Sequence, residues 1–461
     1  MFLLRTSFFF LCLFALVLVA HLLHSRVLWA EEGLPLAAAM QMKRGSVLYR
    51  DIWFDKPPFV SAIYLLWGAM AGPGLRLAGA LYGLLACLLA FAAACRVWSV
   101  REGYAAAFFI AFFLVFDTHS SVLPLAADLL LVVPHLAAIW LAWSKRPYWC
   151  GVAAGIGFLV NAKAVFVLAG CAVFLLSIPQ LLMLMAGFAS VNAVALACLW
   201  GMGALPSYID QVWRWPAQYA GSPVVADPVR NGIVRSANWL GFHTALLLGA
   251  AVCVWRERRW QYLVWLALAY AGVALGMRFF PRYFFLLLPP LALLAARAIV
   301  TMRSRALAAC MILALIVPAV RFGPRYFALQ NWSDLALDRD ARHAAEVISS
   351  LAPPQATLYV WGYRPEIFIY TGMKAANRYL DCQAMTGVPA DRHLTQSTVV
   401  LTTGTHEARM ELAASTPTII ADGLSLFNPA LSMSNYSELR PWLAGYREAA
   451  RTAGTIIYVR R

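Results

Sequence analysis

Long apolar runs separated by short polar breaks fill the first 320 or so positions of the chain. A run of roughly 18 or more apolar residues suits a membrane-spanning helix. The first run covers 8–28, after a short start carrying Arg5. Its length, and the lack of a small-x-small cleavage pattern behind it, favour a retained helix over a removed leader. Further runs lie at 75–98, 104–122, 124–143, 148–161, 164–179, 181–204, 238–255, 260–277, 284–302 and 305–321. They predict about eleven spans, several short enough to be tilted, broken or merged. Beyond 321 the apolar runs shorten and charges of both signs mix. Strands are predicted at 357–361, 418–421 and 455–459, and helices over about 336–351, 405–414 and 437–452. The pattern therefore predicts a polytopic α-helical membrane protein, with a membrane domain over 1–321 and a small α/β domain over 322–461.

Composition agrees. Of 461 residues, 62% are hydrophobic and 13% charged, against about 45–50% and 25% in soluble domains. That excludes a water-soluble globule, a disordered chain and a disulfide scaffold. The nine cysteines show no CxxC or metal-type spacing, and most sit inside apolar runs as small hydrophobes. The net charge of +15 would suggest nucleic acid in a soluble protein. Here its placement gives a different reading. Arg101, Lys145-Arg146, 256–259 and 303–305 form short basic turns, as cytoplasmic loops do. The other face then receives the loop 29–73, the turns 117–123 and 161–163, the loop 205–237, the segment 278–283 and the tail. The expected location is the cytoplasmic membrane, with the C-terminal domain periplasmic or extracellular and no nucleic-acid partner.

Candidate chemistry gathers on that outer face. Glu31 and Glu32 stand side by side where the first helix leaves the bilayer, a costly place for two carboxylates unless they cap the helix end or serve a purpose. The same loop continues through Tyr49 to Lys56-Pro57-Pro58, then an apolar stretch from 59 to 70, too short to span. It reads as an interfacial or re-entrant helix with Lys56 at its start. Lys56 either snorkels to the headgroups or waits for a lipid-linked phosphate. Asp128 opens a helix after Pro124, as a cap or as a second carboxylate. Arg282-Tyr283 lies at another outer boundary, as an anchor or as an anion ligand. There is no Gly-rich phosphate loop of the kind an ATP-driven pump needs.

These motifs resemble those of the GT-C glycosyltransferases, specifically the protein O-mannosyltransferase and aminoarabinose transferase-like (glycosyltransferase 39-like) branch. The acidic pair after the first helix, the Gly45-x-x-x-Tyr49 element and Lys56-Pro57-Pro58 are similar to the family's first outer loop. Ala126-Ala127-Asp128 resembles its second acidic position, and the stretch from Gly155 through Asn161 to Lys163 its Gly-x-x-x-Leu-x-Lys turn. Pro281-Arg282-Tyr283 with Pro289-Pro290 is similar to its Arg/His-Tyr segment, and Trp361-Gly362 with Pro365-Glu366 to the tail of bacterial members. The likeness covers some 300 residues through short motifs. Where the family has Asp first and Tyr soon after, this chain has Glu31 and then Leu34-Pro35.

The resemblance implies a GT-C-like fold and an inverting transfer of a sugar from a polyprenyl-phosphate donor. The acceptor is a hydroxyl on a lipid, glycan or protein at the outer face. Such a reaction needs a base for the acceptor proton and positive charge on the departing phosphate. By motif position Glu31 is the first choice of base, with Glu32 open as the alternative. Asp128 then orients the acceptor or serves as the second carboxylate, and Lys56, Arg282 and Tyr283 bind the phosphate. No cofactor is called for, and a divalent metal stays open. The competing readings are a secondary transporter or lipid flippase, or a catalytically inactive relative. Transporters place polar sites near the midplane between internal repeats, and neither feature is visible here.

Overall fold

A computed structural model describes residues 2–220, 227–328, 333–388 and 404–461. Every predicted apolar stretch contains a helix, from Phe2–Leu22 and Pro73–Val97 through Ile178–Gly201 to Arg305–Phe322. Among the described residues, four helices are long and apolar enough to cross a membrane singly. Shorter apolar helices include Ala127–Trp143, Trp260–Ala274 and Leu288–Thr301. Pro228–Phe242 and Thr244–Glu257 meet at a bend of 88°, so the first of the two runs crosswise to the second. The helix starts carry the expected signals: Pro at the first turn of Pro73–Val97 and Pro147–Phe158, and Ser99 accepting from the Arg101 amide at 3.2 Å.

Small residues set the closest approach. A Cβ at Gly151 would strike the Leu184 backbone, and one at Gly187 the Tyr148 backbone. The helices Pro147–Phe158 and Ile178–Gly201 therefore touch main chain to main chain, a packing open only to small residues.

The bundle has two distinct ends. Pro73–Val97 is 25 residues long, about 37 Å at 1.5 Å per residue. Near its start Arg76 pairs with Glu32. Past its end Trp98 meets Trp143 and the Arg297 guanidinium. At that second end Arg297 bridges Glu102 and Glu257, each at 2.7 Å, and Arg256 donates to the Thr301 carbonyl at 2.9 Å. The basic turns thus share one end, and the loop 29–73 with the tail occupies the other.

The loop 29–73 is more ordered than its polar pattern suggests. Ala30–Lys43 is a helix. The predicted interfacial element is a helical turn, Phe59–Ala62, running into a 3-10 turn, Ile63–Trp67, and ending at Gly68 with φ 73°. Tyr49, buried with φ 70°, holds a backbone region that bulky residues rarely adopt. Its hydroxyl donates to the Lys56 carbonyl at 2.8 Å, and Gln211 clamps both Tyr49 O and Phe54 N at 2.9 Å.

The C-terminal unit starts with the helix Ser333–Leu351. Its strands are β1 (Thr357–Trp361), β2 (Lys374–Ala375), β3 (Ile419–Asp422), β4 (Tyr446–Arg451) and β5 (Ile456–Arg460), in sheet order β2-β1-β3-β5-β4. β1 runs parallel to β2 and β3, with Trp361 opposite Asp422, and β5 runs antiparallel to β3 and β4. The helix expected over 437–452 is not there. Leu439–Leu443 is a short helix, Gly445 follows, and 446–451 forms the edge strand β4. The Arg-Glu-Ala-Ala-Arg run favours a helix locally, but the ladder with β5 outweighs that preference.

Candidate active site

The turn after β1 and the residues on either side of β2 lie against the loop 29–73. Leu28 N donates to Asp338 at 3.2 Å, Gln41 bonds Met373 O and Ala375 N, and Trp53 N donates to Arg378 O at 2.7 Å. A Cβ at Gly33 would lie 3.3 Å from Pro365, so the Ala30–Lys43 helix lies directly against the turn after β1. Gly362, with φ 107°, makes that turn sharp, and Tyr363 just beyond it lies near Glu31 and Arg282. Arg364 is enclosed, bonded to Glu366 and the Leu337 carbonyl at 2.7 Å each.

Under this cover four separate stretches meet. Glu31, at the start of Ala30–Lys43, pairs with Arg282 from the 3-10 turn Pro281–Leu286. Arg282 Nε also lies 3.4 Å from Asp128 Oδ2. Asp128 Oδ1 accepts from Asn161 Nδ2 at 3.0 Å and Lys163 Nζ at 3.2 Å. Lys163 Nζ sits 2.9 Å over the Tyr283 ring, a cation–π contact, while Arg282 rests 4.9 Å from the Phe280 ring. Two carboxylates therefore alternate with two cations. Burial lowers the Lys163 ammonium to about 8, and Asp128 works in the opposite direction.

Glu32 has a different environment. It is fully enclosed, accepts the Trp29 amide at 3.0 Å and pairs with Arg76, which also donates to the carbonyls of Val27 and Leu123. Neighbours in sequence, the two glutamates point to opposite sides of their helix start. Lys56 has a carboxylate partner of its own. Its ammonium is held by Asp55 at 3.1 Å, and the Phe59 amide that follows donates to Leu159 O, two residues before Asn161. Tyr363, buried, feels the charges of Glu31 and Arg282 as well as those of Asp381 and Asp55, so it stands between the cluster and the Lys56 side. Asp381 is pushed up to about 7, chiefly by burial, with Asp55 adding and Gln383 and Lys56 opposing.

Of the six candidates, Glu31, Asp128, Arg282 and Tyr283 come together directly, Lys56 sits apart on Asp55, and Glu32 is bound up with Arg76. Lys163 and Asn161 belong to a turn whose motif was visible, yet neither carried a role. Tyr363 and Asp381 had no signal beyond their nearness to Trp361-Gly362 and a hydrophobic strand end. A cavity of about 500 Å³ opens between this loop and the C-terminal unit, with Arg44, Arg50, Lys374 and Arg378 on its walls. Among the described residues, no group of three or more His, Cys, Asp or Glu side chains is placed to hold a metal ion.

No protein-family model and no curated protein matches the chain. Solved structures do. The apo crystal structure of ArnT from Cupriavidus metallidurans is 16% identical and superposes over 98% of each chain with a TM-score of 0.59. The chain has the ArnT fold. The same ArnT bound to undecaprenyl phosphate aligns at 16% identity over 98% of this chain and 97% of that one, with a TM-score of 0.57. The apo oligosaccharyltransferase of Archaeoglobus fulgidus is more distant, at 12% identity and TM-score 0.51, over 98% of this chain and 74% of that one. The ArnT fold accounts for a helical membrane protein carrying a small sheet domain, and its likeness extends through both parts of the chain.

Proposed function

We propose that the chain is an integral membrane glycosyltransferase that moves a sugar from a polyprenyl-phosphate donor to an acceptor hydroxyl at the outer face of the cytoplasmic membrane. One observation carries the reading: Glu31, Arg282, Asp128 and Lys163, from distant parts of the chain, converge beneath the C-terminal domain at the end opposite the basic turns. ArnT, whose fold it shares, has been solved with undecaprenyl phosphate bound. About eleven helical stretches cross or enter the bilayer, the shorter ones broken or tilted, and the domain from Ser333 onward lies outside.

In this reading the acceptor oxygen attacks the anomeric carbon as the bond from that carbon to the phosphate oxygen breaks. A single displacement inverts the centre, and polyprenyl phosphate leaves with the bonding pair. The acceptor proton passes to a carboxylate. Three donors already engage Asp128, and a single cation engages Glu31. Glu31 is therefore the base and Asp128 the strut that fixes Arg282 and Lys163, while Glu32 holds the helix start through Arg76. Arg282 and Lys163 stabilise the departing phosphate, and Lys56 lines its approach from the lipid side. The cavity between the loop and the C-terminal unit is the route for the acceptor. The reaction so written calls for no cofactor.

The test is turnover. Purified protein in nanodiscs, given a panel of polyprenyl-phosphate sugars and membrane-extract acceptors, should release polyprenyl phosphate, and Asp128→Asn and Lys163→Met should each reduce that release by about tenfold or more. Membranes lacking the protein should accumulate the lipid-linked sugar. Unchanged donor pools, with no release in vitro from any donor, would overturn the proposal.

A further inference from the structure

The turn Pro281–Leu286 has two sides. Arg282 and Tyr283 face the cluster just described, while Pro281 and Phe284 line a second cavity, of about 480 Å³. Arg235, from the crosswise helix Pro228–Phe242, and Arg321 and Arg325, from the end of the last long apolar helix, also line it. Among the described residues, no carboxylate forms an ion pair with any of these three arginines. The one acidic group on the wall, Asp117, accepts the Thr118 amide at 2.6 Å and lies 3.5 Å from His243 Nε2. Aromatic rings complete the floor, with Trp239 stacked on Phe284 at 5.0 Å. Three guanidinium groups around one cavity repel each other, and arginines at the outer end oppose the usual inward bias of positive charge. Both costs vanish if an anion occupies the space.

We infer that this cavity binds the phosphate headgroup of an anionic membrane lipid, separate from the donor and on the far side of the Arg282 turn. The planar guanidinium suits a phosphate, which it can grip with two parallel hydrogen bonds. The source is a lipid because apolar surface flanks the cavity: Val234, which lines it next to Arg235, is 49% exposed, and Val320 next to Arg321 is 66% exposed. A helix lying crosswise with an apolar outer face and a basic inner one is the arrangement of an interfacial helix. The acyl chains would run down that surface with the headgroup drawn inward. The inference rests on the membrane reading and not on glycosyl transfer.

Native mass spectrometry of the full chain, titrated with phosphatidylglycerol or phosphatidylcholine in detergent, tests it directly. We expect one phosphatidylglycerol retained per chain, with at least about tenfold preference over phosphatidylcholine and no displacement by millimolar inorganic phosphate. Arg235→Gln/Arg321→Gln/Arg325→Gln should abolish that preference. Arg256→Gln/Arg258→Gln/Arg259→Gln, at the opposite end, should keep it and serves as the matched loss of charge. The triple lysine variant retains net charge without the fork geometry, and should bind more weakly than wild type but more tightly than the glutamine variant. Equal retention of the two lipids by wild type, or undiminished preference in a folded triple glutamine variant, would overturn the lipid site. Displacement by free phosphate would show a soluble anion as the ligand instead. Donor turnover is not a readout here, so a negative result leaves the transfer reading standing on its own tests.

Discussion

Glu31 and Glu32 are adjacent, yet their structural settings predict opposite phenotypes for the same substitution. Glu32 and Arg76 are 0% and 1% exposed. Glu32→Gln keeps an acceptor for the Trp29 amide but strips Arg76 of its counter-charge, leaving only the carbonyls of Val27 at 3.0 Å and Leu123 at 3.1 Å. Removing one partner of a buried pair costs about 3–5 kcal/mol, and the two remaining carbonyls favour the lower end of that range. Glu31 and Arg282 are 27% and 23% exposed, and Arg282 retains Asp128 at 3.4 Å. Solvent screening holds the stability cost of Glu31→Gln to about 0–1 kcal/mol. Its chemical cost is large, about 10²-fold or more in turnover, because the amide cannot take the acceptor proton. Thermal unfolding in detergent and release of polyprenyl phosphate, measured on both variants, separate the two. Glu31→Gln should melt like wild type and turn over poorly, while Glu32→Gln should melt several degrees lower with near-normal turnover per folded molecule. Glu32→Gln combined with Arg76→Met should recover much of the stability, since no unpaired charge is then left buried. The assignment fails if folded Glu32→Gln loses turnover while Glu31→Gln keeps it.

Three further outcomes are expected. Reporter fusions should place 145, 258 and 304 in the cytoplasm, and 44 and 440 outside; an inward tail would remove the donor-site reading. Gly151→Ala and Gly187→Ala each drive a methyl into a neighbouring backbone, and should each destabilise the protein by about 1–3 kcal/mol in thermal unfolding; wild-type melting of both would mean the two helices are not in backbone contact. Asp381 is raised to about 7 by burial, above its unfolded value near 3.9. Its contribution is fully present below about pH 4 and is lost as pH rises through 7. Asp381→Asn should therefore gain stability relative to wild type between pH 5 and 8, and parallel curves for the two proteins would show that Asp381 does not titrate there.

Periodicity carried the location of the helices further than their interruptions. Asn161–Lys163 was visible as a break because polar residues interrupt an apolar run. The crosswise helix Pro228–Phe242 was not, because its polar and apolar faces average out to an ordinary loop. Arg76 was hidden for the opposite reason: it lies within the apolar run 75–98, and its partner is 44 residues upstream. A single sequence gives no sign of which carboxylate a buried arginine meets, and so motif position alone favours Glu31 as the base and leaves Glu32 open. The β4 edge strand was misread as helix because its ladder partner lies across a hairpin, beyond the reach of local propensity. Motif order, by contrast, located Asp128, Arg282 and Tyr283 without any geometry.

The assembled site has a division of labour that follows from where each part sits. Its charged groups lie at helix starts and turns, the positions where side chains can leave the bundle without placing charge in hydrocarbon. Such positions are intrinsically mobile, and a base and a phosphate ligand need fixed geometry. The C-terminal domain supplies that fixity. Asp338 holds the exit of the first helix at Leu28, Pro365 packs on Gly33, and the Arg378 carbonyl accepts from the Trp53 amide. These contacts brace the loop at its start, around Glu31, and again three residues before Lys56. The domain therefore acts as a wall of the site as well as its cover, with Tyr363 and Asp381 on the inner surface. On the proposed function, a lipid-borne donor would enter from the bilayer side past Lys56 and a polar acceptor through the cavity between the loop and the C-terminal unit, and neither would have to pass the other.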